Sequence, residues 1–142
     1  MERPAASSGP SQGEAGTARI LLVEDNPVNQ KITTVILQRA GYVVDVIDSG
    51  RKALEAVART SYDLVLMDVH MPEMDGLRAA ELIRRNPGSS VSPPIVALTA
   101  SAIEGDRERC LRSGMNDYIM KPVRARELVA KVEKWTRSSP NI

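Results

Sequence analysis

Three acidic side chains and one lysine lie at points in the chain where they could together transfer a phosphoryl group. Asp68 ends one apolar run, Glu24 and Asp25 follow another, and Lys121 follows a third. A carboxylate can attack phosphorus to form an aspartyl-phosphate. Clustered carboxylates suit Mg²⁺, and an ammonium group can neutralise the charge on phosphoryl oxygens. The combination therefore has the groups that phosphoryl transfer to a carboxylate such as Asp68, assisted by Mg²⁺, would need.

Each of these side chains also has an ordinary structural interpretation. Asp68 could cap the helix that follows it, Glu24 and Asp25 could be solvated loop acids, and Lys121 could be a surface lysine. These interpretations weaken when the residues are taken together, because each one follows an apolar run of strand length. In a parallel sheet, ligands bind at the carboxyl ends of the strands.

Two further groups could complete such a site. Thr99 ends a fourth apolar run, and its hydroxyl could donate a hydrogen bond to a phosphoryl oxygen. The backbone carbonyl of His70, two residues after Asp68, could be another metal ligand. The peptide bond between Lys121 and Pro122 could be cis or trans, since the sequence leaves both open.

Strand and helix patterns alternate from Arg19 onward. The predicted strands cover residues 19–23, 42–47, the segment leading to Asp68, 95–99 and 118–120. Helices are predicted from the Asn26-Pro27 cap to Gly41, after Ser49, over 77–85, over 104–113 and over 125–135. The first helix has an apolar stripe of Val28, Ile32, Val35 and Ile36. The residues expected to face the interior in the other helices are Leu54 and Val57 in the second, Ala80 and Ile83 in the third, and Leu128, Val129, Val132 and Trp135 in the last.

This alternation predicts an α/β protein with a parallel sheet and helices on both faces. For five strands we expect a doubly wound, flavodoxin-like (βα)5 fold with strand order 2-1-3-4-5. That order would place strands 1, 3, 4 and 5 side by side, so the polar groups that follow them would meet in one crevice. The fourth helix has few apolar residues and should be the least firmly packed element.

Composition places the chain among globular proteins with one domain. We expect this domain to cover residues 18–137, with tails at 1–17 and 138–142. A net charge of +1 over 142 residues, with no run of basic residues, gives no reason to expect a surface for nucleic acid or for a membrane. The single cysteine, Cys110, and the lack of a signal peptide or membrane-spanning stretch favour the cytoplasm, including the cytoplasmic part of a larger membrane-associated kinase.

Four ordered motifs resemble the receiver domain of two-component response regulators. They are Leu-Leu-Val-Glu24-Asp25-Asn-Pro, Leu-Met-Asp68-Val-His-Met-Pro-Glu-Met-Asp-Gly, Ala-Leu-Thr99-Ala and Asp117-Tyr118-Ile-Met-Lys121-Pro122. The resemblance covers residues 18–135. It implies that Asp68 accepts a phosphoryl group from a phosphohistidine on a histidine kinase or a histidine phosphotransfer domain, with Glu24 and Asp25 at the metal.

The resemblance also implies a conformational switch formed by Thr99 and Tyr118. If Thr99 moves to bond the phosphoryl oxygen, it vacates space that the ring of Tyr118 can fill. The surface expected to respond lies on the fourth helix, the fifth strand and the fifth helix. An ordinary half-buried strand aromatic is the alternative interpretation of Tyr118.

The sequences of the first, third and fourth motifs are most similar to those of receivers in hybrid histidine kinases. By analogy, a face of the first helix around Val28, Lys31, Ile32 and Val35 would help to dock a histidine-bearing helix. Because the sequence ends soon after the fifth helix, we expect a receiver without a DNA-binding output domain of its own. A stand-alone single-domain response regulator remains an alternative.

Two further classes compete with a phosphorylated receiver. A phosphatase of the haloacid-dehalogenase type would need a second carboxylate two residues after Asp68, where this chain has His70. A receiver fold can also signal by protein contact without being phosphorylated. His70 and Ser101 flank the site at positions that tune phosphate lifetime in the family, and the sequence predicts no value for that lifetime.

Overall fold

The computed structural model describes residues 18–69, 76–85, 93–100 and 104–137. The strands are β1 (Arg19–Val23), β2 (Val43–Ile47), β3 (Leu64–Asp68), β4 (Ile95–Thr99) and β5 (Asp117–Met120). The helices are α1 (Pro27–Arg39), α2 (Gly50–Arg59), α3 (Gly76–Arg85), α4 (Glu104–Arg112) and α5 (Ala125–Arg137). The predicted elements are therefore confirmed, with ends that differ by no more than two residues. The tails, His70, Ser101 and the loop at 86–92 lie outside the described residues.

All five strands pair in parallel in the order β2-β1-β3-β4-β5, which confirms the predicted flavodoxin-like topology. Strands β3 and β4 are buried at every position, as expected for central strands covered by helices on both faces. Alternate residues of these strands point to opposite faces, so the sheet separates two apolar clusters.

The two clusters lie under different helices. One contains residues of α2, α3 and α4, including Ala53, Ile83 and Cys110. The other contains residues of α1 and α5, including Leu37 and Leu128. Ala80, Val57 and Val132 are buried as predicted, whereas Leu54, Val129 and Trp135 are only half-buried.

The apolar stripe predicted for α1 is divided between core and surface: Ile36 packs against the second cluster, whereas the other three residues lie on the exposed side of the helix. Val28, Ile32 and Val35 are 66%, 47% and 37% exposed, and the buried residues of this helix are Thr33 and Leu37. Both sets of residues repeat at helical spacing, so periodicity alone cannot tell which of them faces the sheet. Packing against β1 and β2 determines the rotation of the helix, and three apolar side chains are left on its outer surface.

Local signals account for the first turns of α1 and α2. The Asn26 side chain accepts hydrogen bonds from the backbone N–H groups of Val28 and Asn29, and Pro27 begins the helix. The Ser49 hydroxyl accepts from Lys52 N–H in the same way. Within the part of the chain that the structure describes, no helix is long and apolar enough to cross a membrane.

Candidate phosphoacceptor and metal site

The polar residues predicted to meet do so at the carboxyl edge of the sheet. Asp68 is the last residue of β3 and Thr99 the last of β4, while Glu24 and Lys121 directly follow β1 and β5. The Nζ atom of Lys121 lies 3.2 Å from Oδ2 of Asp68 and 3.2 Å from Oε1 of Glu24. One ammonium group therefore bridges the two carboxylates.

Glu24 and Asp68 are almost completely buried, so their charges depend on this lysine. Burial raises the pKa of Glu24, and the neighbouring Asp68 raises it further against the opposing effect of Lys121. Burial also lowers the pKa of Lys121, but the two carboxylates raise it by more, and the net shift is upward. Lys121 is consequently held in its charged form.

The backbone around Lys121 is fixed to the neighbouring strand. Its N–H donates to the carbonyl of Thr99 at 2.8 Å, and the Lys121–Pro122 peptide bond is cis. Thr99 is itself buried, with 3% of its surface exposed. The end of β4 thus determines where the ammonium group enters the crevice.

The first turn of α1 positions the acidic pair that follows β1. The side-chain amide of Gln30 donates to the backbone carbonyl of Glu24 at 2.6 Å, and Asn26 N–H lies 3.3 Å from Oε2 of the same residue. Sequence reasoning identified Asn26 as a helix cap but missed Gln30. A polar residue in the first turn of a helix gave no signal that it would reach back to the strand.

Gly76 allows α3 to begin close to Asp68. Its N–H donates to the carbonyl of Val69 at 2.9 Å, and a Cβ atom at this position would collide with the backbone carbonyl of Asp68. The Asp-Gly pair of the sequence signalled a turn, and the structure adds that this glycine is required by its close contact with the backbone of Asp68.

The three carboxylates form a cluster suited to a hard cation. One oxygen from each of Glu24, Asp25 and Asp68 lies within 4.8 Å of the others. Oε1 of Glu24 is buried and accepts no aligned hydrogen bond from the described residues, although the Lys121 ammonium group lies 3.2 Å away. A buried carboxylate oxygen with lone pairs still available fits a cation such as Mg²⁺. The proposed fourth ligand, the carbonyl of His70, lies outside the described residues.

Tyr118 lies on β5 beside Ala97 of β4, two residues before Thr99 on that strand. It is half-buried and packs against the apolar cluster under α2, α3 and α4. The residue before it, Asp117, contacts Lys131 and Trp135 on α5. Sequence reasoning missed this cluster, because its members lie on different elements and form no motif along the chain.

Comparisons with known proteins agree with this fold. Residues 20–133 match the response regulator receiver domain. The chain is 45% identical over 123 residues to the sensor protein GacS of Pseudomonas syringae pv. syringae, a match that covers 83% of this chain and 13% of GacS. It is 44% identical over 126 residues to hybrid signal transduction histidine kinase B of Dictyostelium discoideum, which covers 82% of this chain and 6% of that protein. The chain thus spans only a small part of these relatives.

Two solved structures share the fold at high coverage. The receiver domain of a sensor histidine kinase from Pseudomonas aeruginosa, solved with magnesium coordinated in its active site cleft, has a TM-score of 0.77 and 44% identity, and covers 85% of this chain and 98% of that one. The Saccharomyces cerevisiae receiver domain of Ssk1, solved with the histidine phosphotransfer protein Ypd1, has a TM-score of 0.81 and 30% identity, and covers 89% and 93%.

The doubly wound parallel sheet and the match to a family model over residues 20–133 together define the class of protein. The chain belongs to the response regulator receiver domain family.

Proposed function

We propose that this receiver domain accepts a phosphoryl group on Asp68 from a phosphohistidine. A carboxylate oxygen of Asp68 attacks phosphorus and forms an O–P bond, while the P–N bond breaks and its electron pair goes to the imidazole nitrogen of the donor. Lys121 and Thr99 would contact the transferred group, Lys121 through its charge and Thr99 through its hydroxyl. The observation that carries this proposal is the Lys121 ammonium group 3.2 Å from both Asp68 and Glu24.

Glu24, Asp25, Asp68 and the backbone carbonyl of His70 would hold Mg²⁺. When bound, the ion would neutralise charge on the phosphoryl oxygens. The magnesium ion in the Pseudomonas aeruginosa relative supports this assignment, as does the cluster of Glu24, Asp25 and Asp68 carboxylates. Thr99 and Tyr118 would then convert phosphorylation into a change on the surface formed by α4, β5 and α5.

Intact-mass analysis after incubation with acetyl phosphate and Mg²⁺ tests the proposal. We expect one phosphoryl adduct on the wild-type protein and none on Asp68→Asn. Chelation of the metal should abolish the adduct in the wild type. If the wild type gives no adduct with excess donor and metal, Asp68 is not a phosphoacceptor and a contact-only receiver becomes the better description.

We further propose that the donor or acceptor partner is a histidine phosphotransfer domain that docks on the exposed face of α1. Val28, Ile32 and Val35 form this face with the neighbouring Lys31, and their exposure makes them available to a partner helix. A related receiver was crystallised with the phosphotransfer protein Ypd1. Similarity to GacS and to the Dictyostelium kinase favours a place within a hybrid histidine kinase over a stand-alone regulator.

Phosphotransfer from phosphorylated Ypd1 can test this docking face. We expect Ile32→Ser and the charge reversal Lys31→Glu to slow transfer, by about tenfold if either removes 1.4 kcal/mol of binding. Val43→Ser is the matched control, because Val43 is a similarly exposed side chain on β2, outside the α1 face. Labelling by acetyl phosphate should be unchanged in all three variants. Equal transfer rates in Ile32→Ser, Lys31→Glu and Val43→Ser would exclude this face.

A further inference from the structure

Asp117, at the start of β5, anchors a cluster of side chains from α5. Its carboxylate is 12% exposed and accepts from Nζ of Lys131 at 2.7 Å, while Nζ of Lys134 lies 3.6 Å away. It also accepts from the indole N–H of Trp135 at 3.0 Å and from the backbone N–H of Tyr118 at 2.8 Å. Burial alone would raise the pKa of Asp117, but these donors reverse the effect and lower it. Asp117 is therefore a fixed negative charge at neutral pH.

Lys131 contacts two successive residues of β5 in different ways. Its ammonium group pairs with the carboxylate of Asp117 and also lies 5.5 Å from the centre of the Tyr118 ring. A cation at this distance from an aromatic ring is attracted to the ring face. Because Asp117 holds the ammonium group in place, the attraction favours the placement of the Tyr118 ring seen in the structure.

The ring in question belongs to the proposed switch residue. Tyr118 packs half-buried against the apolar cluster under α2, α3 and α4, and its backbone pairs with Ala97 two residues before Thr99. The ring has this position in the structure in which the Asp68 side chain is paired with Lys121. A contact that stabilises the ring here must be lost or weakened if the ring moves.

We propose that Lys131 is a positioning residue that holds the Tyr118 ring in place and thereby opposes the conformational change that follows phosphorylation of Asp68. The inference rests on the proposed function and adds a regulatory contact from α5. Lys131 touches neither Asp68 nor the metal ligands in the described structure, so its effect passes through Tyr118. Removing its charge should make the phosphorylated conformation easier to reach.

The acetyl phosphate concentration that gives half-maximal phosphorylation, read by intact mass with Mg²⁺ present, measures this effect. We expect Lys131→Met to lower that concentration about two- to fivefold, the size of an exposed cation–π contact. Lys131→Arg should behave like the wild type, since a guanidinium group can pair with Asp117 and stack on the ring. Lys134→Met is the matched control: it removes a neighbouring charge that also lies near Asp117, but Lys134 contacts the ring of Trp135 rather than Tyr118.

A double-mutant cycle separates this role from a general effect on folding. In a Tyr118→Leu background, Lys131→Met should no longer change the half-maximal concentration, because the contact it removes is already absent. An unchanged value for Lys131→Met in the wild-type background would overturn the inference, and so would an equal shift in Lys134→Met or in the Tyr118→Leu background. Failure of the wild type to be phosphorylated would instead overturn the proposed function. Thermal unfolding of each variant verifies that the compared proteins are folded.

Discussion

The buried carboxyl of Glu24 shows how a single residue at the site is held in an unfavourable electrostatic environment. It is almost completely buried, and the neighbouring Asp68 shares with it the ammonium group of Lys121. These two effects raise the pKa of Glu24 above its ordinary value of 4.5. A bound cation would relieve the repulsion, so the residue is suited to a metal-bound site.

Glu24→Gln should therefore change the pH dependence of stability in metal-free buffer. Because the folded protein binds the Glu24 proton more tightly than the unfolded chain, this proton stabilises the fold below about pH 4.5. The stabilisation is lost as the pH rises through the folded-state pKa. The free energy of unfolding of the glutamine variant, minus that of the wild type, should therefore increase from pH 4.5 to pH 7. Urea denaturation in the presence of a chelator measures this difference.

The stabilisation of the wild type and of Glu24→Gln by Mg²⁺ can also be compared at pH 7. The wild type should be stabilised by about 2.7 kcal/mol when Mg²⁺ is at 100 times its dissociation constant, and Glu24→Gln should gain less at the same concentration. A stability difference between the two proteins that depends on neither pH nor Mg²⁺ would contradict this account of Glu24.

Among elements, Arg84 links the end of α3 to the amino-terminal edge of the sheet. Its guanidinium group donates to the carbonyl of Gly114 at 2.8 Å, to the carbonyl of Pro93 at 2.7 Å and to Oδ1 of Asn116 at 2.6 Å. The same Asn116 oxygen accepts from Ile95 N–H, at the start of β4. Burial lowers the pKa of Arg84, and the guanidinium group nevertheless stays charged, as arginine does throughout proteins.

Arg84→Lys is expected to destabilise the protein although it keeps the charge. A lysine ammonium group is a point donor and cannot serve three acceptors that are spread around a planar guanidinium group. We expect a loss of about 1–3 kcal/mol in the free energy of unfolding, the cost of leaving the part-buried carbonyl acceptors of Gly114 and Pro93 without a donor. Arg85→Lys, at the exposed neighbouring position, is the control and should change the value by less than about 0.5 kcal/mol. Equal effects at the two positions would show that the Arg84 contacts contribute little.

At the scale of the whole molecule, one sheet joins two apolar clusters that share no helix. Ile83 of α3 belongs to the first cluster, and Trp135 of α5 packs against the second. Each strand contributes side chains to both clusters, so loss of packing on one face removes support from the other. We therefore expect the domain to unfold as one cooperative unit.

Ile83→Ala tests this cooperativity with the single tryptophan of the chain as a probe on the opposite face. The substitution should lower the free energy of unfolding by about 2–5 kcal/mol. Denaturation followed by Trp135 fluorescence and by far-ultraviolet circular dichroism should shift equally. Leu111→Ala, at an exposed position on α4, should have little effect on either signal. If the circular dichroism transition moved while the fluorescence transition stayed, the two faces would unfold separately.

The sequence by itself was sufficient for the order of elements, the sheet topology and the meeting of Glu24, Asp68 and Lys121. Those features depend on local signals that the chain carries directly: continuous apolar runs for buried strands, caps at Asn26 and Ser49, and a polar residue where each strand ends. In a parallel sheet all strands run in the same direction, so the polar residues at their carboxyl ends lie close together at one edge.

Only the tertiary structure decided which side chains meet across elements. Helical periodicity in α1 permits more than one rotation, and packing on the sheet left Val28 and Ile32 outside while burying Leu37. The contacts of Arg84 with Asn116, and of Lys131 with Asp117 and Tyr118, join residues that share no pattern along the chain. Such contacts depend on the distance and rotation between neighbouring elements, which are set by the packing of the whole core and are not encoded in any local period.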